Sequence, residues 1–212
     1  IAYIGQNNAI NQSIDSLKKL EYRGYDSSGL AGFNESGLKI IKKTGQIKNL
    51  EEALPKTWEI ELGIAHTRWA THGKPSEQNA HPHLSSDEKW VLVHNGIIEN
   101  HEELRALLQA KGCIFVSQTD TEVIAHLLSA LYQGSMIDAL QKAQAMLEGS
   151  YALGVICADT PDTLYCMRKD SPLVVGLGQG ENFIASDIPA MIAHTREVEL
   201  LNDKEIAVLK ED

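Results

Sequence analysis

Two stretches of this 212-residue chain hold a high density of side-chain donors: Gly63-Ile64-Ala65-His66-Thr67-Arg68-Trp69-Ala70-Thr71-His72-Gly73 and Val93-His94-Asn95-Gly96-Ile97-Ile98-Glu99-Asn100. The arginine fork of Arg68 suits bidentate binding of a small carboxylate. The Asn95 amide and the Gly96 backbone N–H can together serve one developing oxyanion. These parts describe an amide-cleaving pocket, yet neither stretch supplies a nucleophile. A lone arginine is by default a surface ion pair, but Trp69, Thr71 and His72 crowd the same loop and favour a binding role. Asn-Gly is also the strongest short hairpin signal. Here Ile97-Ile98-Glu99-Asn100 leads into a capped helix rather than a partner strand, which favours the oxyanion role. Asp120 is explained without any ligand as a carboxylate at a helix N-terminus. It gains a role if Arg68 holds an α-carboxylate, because the α-ammonium of the same amino acid then needs a partner.

Positioning such residues takes strands that end at the pocket and a helix that begins there. Ile1-Ala2-Tyr3-Ile4 reads as a short buried strand, and Ile10, Ile14, Leu17 and Leu20 then recur at helical spacing until Gly24. Leu30-Ala31-Gly32-Phe33 and Leu38-Lys39-Ile40-Ile41 flank Asn34-Glu35-Ser36-Gly37, which predicts a hairpin and hence antiparallel pairing. Further strands are expected at 61–65 and 90–94, separated by a long polar stretch, 71–89, of the kind that often carries function. Leu104, Leu107 and Leu108 share one face of a helix over 99–110, with Asn100 and Glu103 spaced as a capping box. Thr119-Asp120-Thr121-Glu122 starts a second helix and 136–147 form a third. Strands return at 151–157, 163–167, 173–177, 183–185 and 206–209. The count predicts one α+β domain over 1–212, with two sheets and helices outside them.

Composition narrows the partners. A formal net charge of −10, without any basic cluster, repels nucleic acid and anionic lipid. Cys113, Cys157 and Cys166 are odd in number and widely spaced, which argues against a disulfide framework or a Cys-x-x-Cys metal site and points to a reducing cytoplasm. Each sits in an apolar or strand-like context where cysteine is inert. The opening residues lack signal-peptide character, and no apolar run has membrane-spanning length, so a soluble protein is expected. Histidines 66, 72, 81, 83 and 94 lack the spacing of a metal site and read as hydrogen-bonded loop residues, so no metal is expected. Gly176-Leu177-Gly178-Gln179-Gly180-Glu181 lacks a phosphate-loop fingerprint and reads as strand-turn-strand.

Leu20-Glu21-Tyr22-Arg23-Gly24-Tyr25-Asp26-Ser27-Ser28-Gly29, His66 through Gly73, His94 through Asn100 and Ser117-Gln118-Thr119-Asp120-Thr121-Glu122 together resemble the glutaminase domains of the glucosamine-6-phosphate synthases. These are class II amidotransferases of the N-terminal-nucleophile type. The similarity runs on through Ser171 to Gly178 and Glu181 to Asp187, so it spans essentially the whole chain. It implies a four-layer αββα sandwich of two antiparallel sheets, an enzyme of hexosamine biosynthesis acting on L-glutamine, and no cofactor. It also implies a sugar-isomerase partner domain, absent from 1–212, that uses the ammonia on fructose 6-phosphate, with the full-length protein a homodimer. By the same resemblance Arg68 binds the glutamine α-carboxylate, Asp120 the α-ammonium, Thr71 and His72 line the substrate loop, Trp69 gates it, and Asn95 with Gly96 stabilises the oxyanion. Such enzymes carry a cysteine as their first residue. Counted back from Leu20, that Cys-Gly-aliphatic opening falls just before Ile1. A protein beginning naturally at Ile1 would be expected to bind glutamine without hydrolysing it. Other N-terminal-nucleophile amidotransferases, with other ammonia acceptors, remain the alternative at this point.

Overall fold

A computed structural model describes residues 1–24, 26–69 and 74–212, apart from the side chain of Arg23. In chain order the strands and helices are β1 (Ala2–Gly5), α1 (Ala9–Leu20), β2 (Ser27–Asn34), β3 (Gly37–Thr44), α2 (Ile47–Ala53), β4 (Leu62–Arg68), β5 (His83–Leu84), β6 (Trp90–Ile98), α3 (His101–Ala110), α4 (Thr121–Leu131), α5 (Met136–Met146), β7 (Gly149–Cys157), β8 (Thr160–Lys169), β9 (Val174–Leu177), β10 (Glu181–Ala185), β11 (Glu197–Leu200) and β12 (Ile206–Leu209). Seven strands form one sheet in the order β11-β9-β10-β1-β4-β2-β3, and five form a second in the order β12-β8-β7-β6-β5. Neighbours within both sheets run antiparallel.

The four layers follow from the two-residue period of the strands. Successive side chains of a strand point to opposite faces, and here both faces are apolar. Tyr3, Leu30, Ala65 and Phe183 pack under α1 and α2, whose Ile10, Ile14, Leu17, Ile47 and Leu50 join them. Their chain neighbours Ala2, Ala31, Ile64 and Ile184 turn the other way and meet Val91, Val93, Ala152 and Cys166 between the sheets. The next alternation, Leu92, Leu153, Val155 and Tyr165, packs against α3, α4 and α5. Three cores thus separate four layers, helix on sheet on sheet on helix, as the resemblance implied. Helix α4 lies innermost of the second helix layer. Its Val123, Ile124, Leu127 and Leu128 are buried, each stabilising the fold by about 2 kcal/mol relative to exposure.

The hairpin over Asn34 to Gly37, the strand-turn-strand over 174–185 and all three central helices form where the sequence places them. Three local expectations fail. Asn100 makes no capping bond to α3; its side chain donates to the Met146 carbonyl and accepts from the Glu148 N–H, tying the end of α5 to β7 instead. Leu107 stays 42% exposed rather than joining Leu104 and Leu108 in the core, because α3 packs through a narrower stripe. Asn95 and Gly96 do not follow a strand that stops at His94. They lie inside β6, opposite Ala152 and Tyr151 of β7. Among the described residues no helix is long and apolar enough to cross a membrane.

Candidate active site

Three elements deliver the predicted residues to one place. Strand β4 ends on Arg68, β6 runs through Asn95 and Gly96, and α4 begins just after Asp120. All four residues line a single cavity of about 240 Å³, with Trp69 and Thr121 also on its wall. Arg68 and Asp120 are only 5% and 6% exposed, whereas Trp69 is 63% exposed, so a charged floor lies beneath an indole open to solvent.

Arg68 is held from behind by the segment that follows α1. The Asp26 N–H donates to the Arg68 carbonyl at 3.2 Å, and the Thr67 hydroxyl donates to the Gly24 carbonyl. A Cβ on Gly24 would come within 2.9 Å of the Trp69 nitrogen and 3.1 Å of the Arg68 carbonyl carbon, so only glycine allows this approach. Burial draws the Arg68 pKa below its ordinary value, while the carboxylates of Asp120 and Asp26 oppose that shift. The guanidinium therefore sits in the field of two acids, one of which shares the cavity. The motif around Gly24 and Asp26 thus has a local purpose that spacing alone did not reveal.

Gly96 adopts φ +133°, and a Cβ there would lie 2.1 Å from the Ser150 carbonyl oxygen. Glycine is needed twice over, for the backbone conformation and for contact with β7. The result brings the Asn95 side chain and the Gly96 backbone to the rim, Asn95 half-buried and Gly96 exposed. Asp120 occupies the N-cap position of α4 without capping it. Its Oδ2 accepts instead from the Ile98 N–H of β6 at 2.9 Å. Thr121 completes this corner: its Oγ1 lies 2.9 Å from His94 Nδ1 and 3.4 Å from Asp120 Oδ1.

Histidines 66, 81 and 94 line the same cavity, and His83 packs against His81. The rings of His66 and His81 are 4.3 Å apart and those of His81 and His83 are 4.9 Å apart. His83 Nε2 lies 3.1 Å from Thr119 Oγ1, and the His94 N–H donates to His81 Nδ1 at 3.4 Å. Burial lowers the pKa of all four, so they stand neutral beside the charged floor. Three of them, His66, His83 and His94, lie on strands and not in loops. Thr71 and His72 fall outside the described residues. Among the described residues no group of three or more His, Cys, Asp or Glu side chains is placed to hold a metal ion. Burial raises the thiol pKa of Cys113, Cys157 and Cys166, the last to about 12, and none of the three lines the cavity.

The chain is similar to known proteins over its whole length. Residues 66–193 match the family described as glutamine amidotransferase domain. The chain is 54% identical over its full length to a glutamine–fructose-6-phosphate aminotransferase (isomerizing) of Clostridium perfringens, of which it covers 35%. It is 48% identical, over 99% of its length, to an enzyme of that name from Thermus thermophilus, again covering 35% of the relative. The chain therefore spans about a third of the length of these curated relatives. Among solved structures, the glutamine phosphoribosylpyrophosphate amidotransferase of Bacillus subtilis, complexed with ADP and GMP, superposes with a TM-score of 0.82 at 22% identity, covering all of this chain and 48% of the other. That likeness shows the fold: an α+β arrangement of two antiparallel sheets and flanking helices.

Proposed function

The chain belongs to the glutamine amidotransferase domain family, and from that premise we propose that it is the glutaminase half of a glucosamine-6-phosphate synthase. In this reading it hydrolyses L-glutamine to glutamate and ammonia, and the ammonia aminates fructose 6-phosphate at a sugar-isomerase domain in a longer, homodimeric, cytoplasmic protein. The observation that carries the reading is the convergence of Arg68, Asp120 and Asn95-Gly96, from three elements, on one cavity. Arg68 takes the α-carboxylate and Asp120 the α-ammonium, so the side-chain amide points along the cavity toward Asn95 and Gly96. Both charges are desolvated together, which makes each contact stronger than on an open surface.

Ile1 borders the same cavity, so the thiol that the resemblance places just before it would open into it. That sulfur attacks the amide carbon, forming a C–S bond, while the adjacent α-amine takes the thiol proton. The carbonyl electrons move to oxygen, where the Asn95 amide and the Gly96 N–H donate to them. Collapse of this intermediate breaks the C–N bond, and the departing nitrogen takes back the proton as ammonia. Water then cleaves the thioester to glutamate and regenerates the thiol. Trp69, exposed at the mouth, closes over the substrate.

The test uses the full-length protein, including the residues before Ile1. Arg68→Ala is expected to lower kcat/KM for glutamine by about 100-fold, the scale of a hydrogen-bonded charge lost from a buried site, with glutamate release as the readout. Trp69→Phe, which keeps an aromatic cover, should cost less than about fivefold. Equal and small effects would overturn the pocket assignment. Glutamine binding without glutamate release would overturn the hydrolytic step.

A further inference from the structure

We propose that Arg105 of α3 is a positioning residue for Asp120: its guanidinium grips the backbone just ahead of that acid and so sets where the carboxylate meets the α-ammonium of glutamine. The inference rests on the reading of Asp120 given above. An aspartate side chain is short, so its carboxylate goes where its backbone goes. Among the described residues the Asp120 carboxylate receives one good hydrogen bond, from the Ile98 N–H. Its placement therefore depends on how the chain enters α4, and Arg105 governs that entry.

The three residues before Asp120 are each held. One terminal nitrogen of Arg105 donates to the Ser117 carbonyl at 3.2 Å and the other to the Thr119 carbonyl at 2.8 Å. A rigid, planar fork with two terminal donors suits a pair of carbonyls that flank one residue. That residue, Gln118, donates its N–H to Oδ1 of the buried Asn79 at 2.9 Å. Thr119 takes the capping role that Asp120 leaves: its Oγ1 accepts a long 3.4 Å bond from the Glu122 N–H and lies 3.1 Å from His83 Nε2. Asp120 is then helical in backbone, φ −64° and ψ −32°, while its carboxylate turns to β6 and the cavity. The guanidinium is fixed in its turn. Its central carbon lies 4.2 Å from the centroid of the Phe115 ring, a cation–π contact, and that ring meets His126 of α4 edge-on at 4.4 Å. Arg105 itself does not line the cavity, so it reaches a ligand through Thr119 and Asp120.

An arginine that merely braced the α3–α4 connection would make the same bonds, and a pair of ligands separates the two roles in the full-length enzyme. Glutaramate is glutamine without its α-ammonium, so its binding does not draw on the charge of Asp120. Arg105→Ala should raise KM for glutamine about tenfold, within what a misplacement of about 1 Å costs at a site. The kcat for glutamine and the inhibition constant of glutaramate should both stay within about twofold. Arg105→Lys keeps the charge and the stem but brings a single nitrogen to the carbonyls. It should raise KM about threefold, with glutaramate again unmoved, and it carries the test alone if the Ala variant does not fold. In an Asp120→Asn background Arg105→Ala should add less than a further twofold to KM, because residues acting through one another are not additive. Equal weakening of both ligands, an unchanged KM for glutamine, or additive effects in the double variant would overturn the proposal. An Asp120→Asn enzyme that kept its full preference for glutamine over glutaramate would instead overturn the ammonium assignment beneath it.

Discussion

Asp120 and Glu122 stand two residues apart at the start of α4 and are 6% and 1% exposed, yet one faces a cavity and the other an interior packed with donors. Glu122 Oε1 accepts from the Val116 N–H at 2.8 Å, and Oε2 accepts from the Ser117 N–H at 2.7 Å and the Ser117 hydroxyl at 2.6 Å. His126 Nε2 lies 3.4 Å from Oε1 on the next turn. Among the described residues, Asp120 receives one good hydrogen bond, from the Ile98 N–H, and a long one from Thr121. The charge of Glu122 is consumed in folding the 113–119 segment onto α4. That of Asp120 is left under-satisfied beside Arg68. A buried carboxylate is available to a ligand when the protein withholds donors from it, and the two acids differ in this respect within one helical turn.

Removing each acid should break the comparison in opposite directions. Glu122→Ala strands two backbone N–H groups and the Ser117 hydroxyl in the interior, so a loss of about 3–4 kcal/mol is expected, read by denaturant unfolding. Activity per folded molecule should change little. Asp120→Asn keeps an oxygen for the Ile98 N–H but removes the charge. Stability should move by less than about 1 kcal/mol, whereas KM for glutamine should rise by about 30-fold through loss of the partner for the ammonium. If the two substitutions gave the same pattern, the division between folding charge and ligand charge would be wrong.

That division could not be read from Thr119-Asp120-Thr121-Glu122, which carries the same helix-start signal for both acids. The apolar runs Ile1-Ala2-Tyr3-Ile4, Leu30-Ala31-Gly32-Phe33 and 90–94 did announce strands, and Arg68 at a strand end announced a pocket; that these strands are buried on both faces emerged only with the two packed sheets. These are local signals, written in period and position. The failures share a non-local cause. Gly96 owes its conformation to the Ser150 carbonyl of a neighbouring strand, so Asn95-Gly96 looked like a turn after a strand when it is part of one. Asn100 finds its partners near residue 147 and not in its own helix. His66 and Asn95 border one cavity although β4 and β6 belong to different sheets. Strand β5 has two residues, too few for periodicity, β11 is almost wholly exposed and carries no buried face to read, and α2 buries only Ile47 and Leu50. Arg68 and Asp120, far apart in sequence, do line one cavity, and it was the charges at the two ends of an amino acid that suggested looking for them together.

The subtlest way to sharpen the contrast is pH. Burial pushes the Glu122 carboxyl upward, but the His126 ring beside it and hydrogen bonds from the Ser117 hydroxyl and from the Val116 and Ser117 N–H groups outweigh it and hold the pKa below the ordinary glutamate value. Unfolding returns the group to about 4.3. Above that value both states are ionised and the stabilisation is complete. As pH falls below it, the unfolded chain binds a proton that the folded chain still refuses, and stability drains away until the folded pKa is passed. Each proton of difference contributes a slope of about 1.4 kcal/mol per pH unit. Asp87, held low by Ser85 and Ser129 against its own burial, adds to the same trend, so the wild-type slope alone identifies no residue. Glu122→Gln removes one contributor and leaves Asp87 in place. Urea unfolding between pH 5 and pH 3 should therefore show a shallower loss in the variant, by up to about one proton's slope. Parallel curves would mean that the Glu122 network does not bind its charge more tightly than water does, and the contrast with Asp120 would reduce to geometry alone.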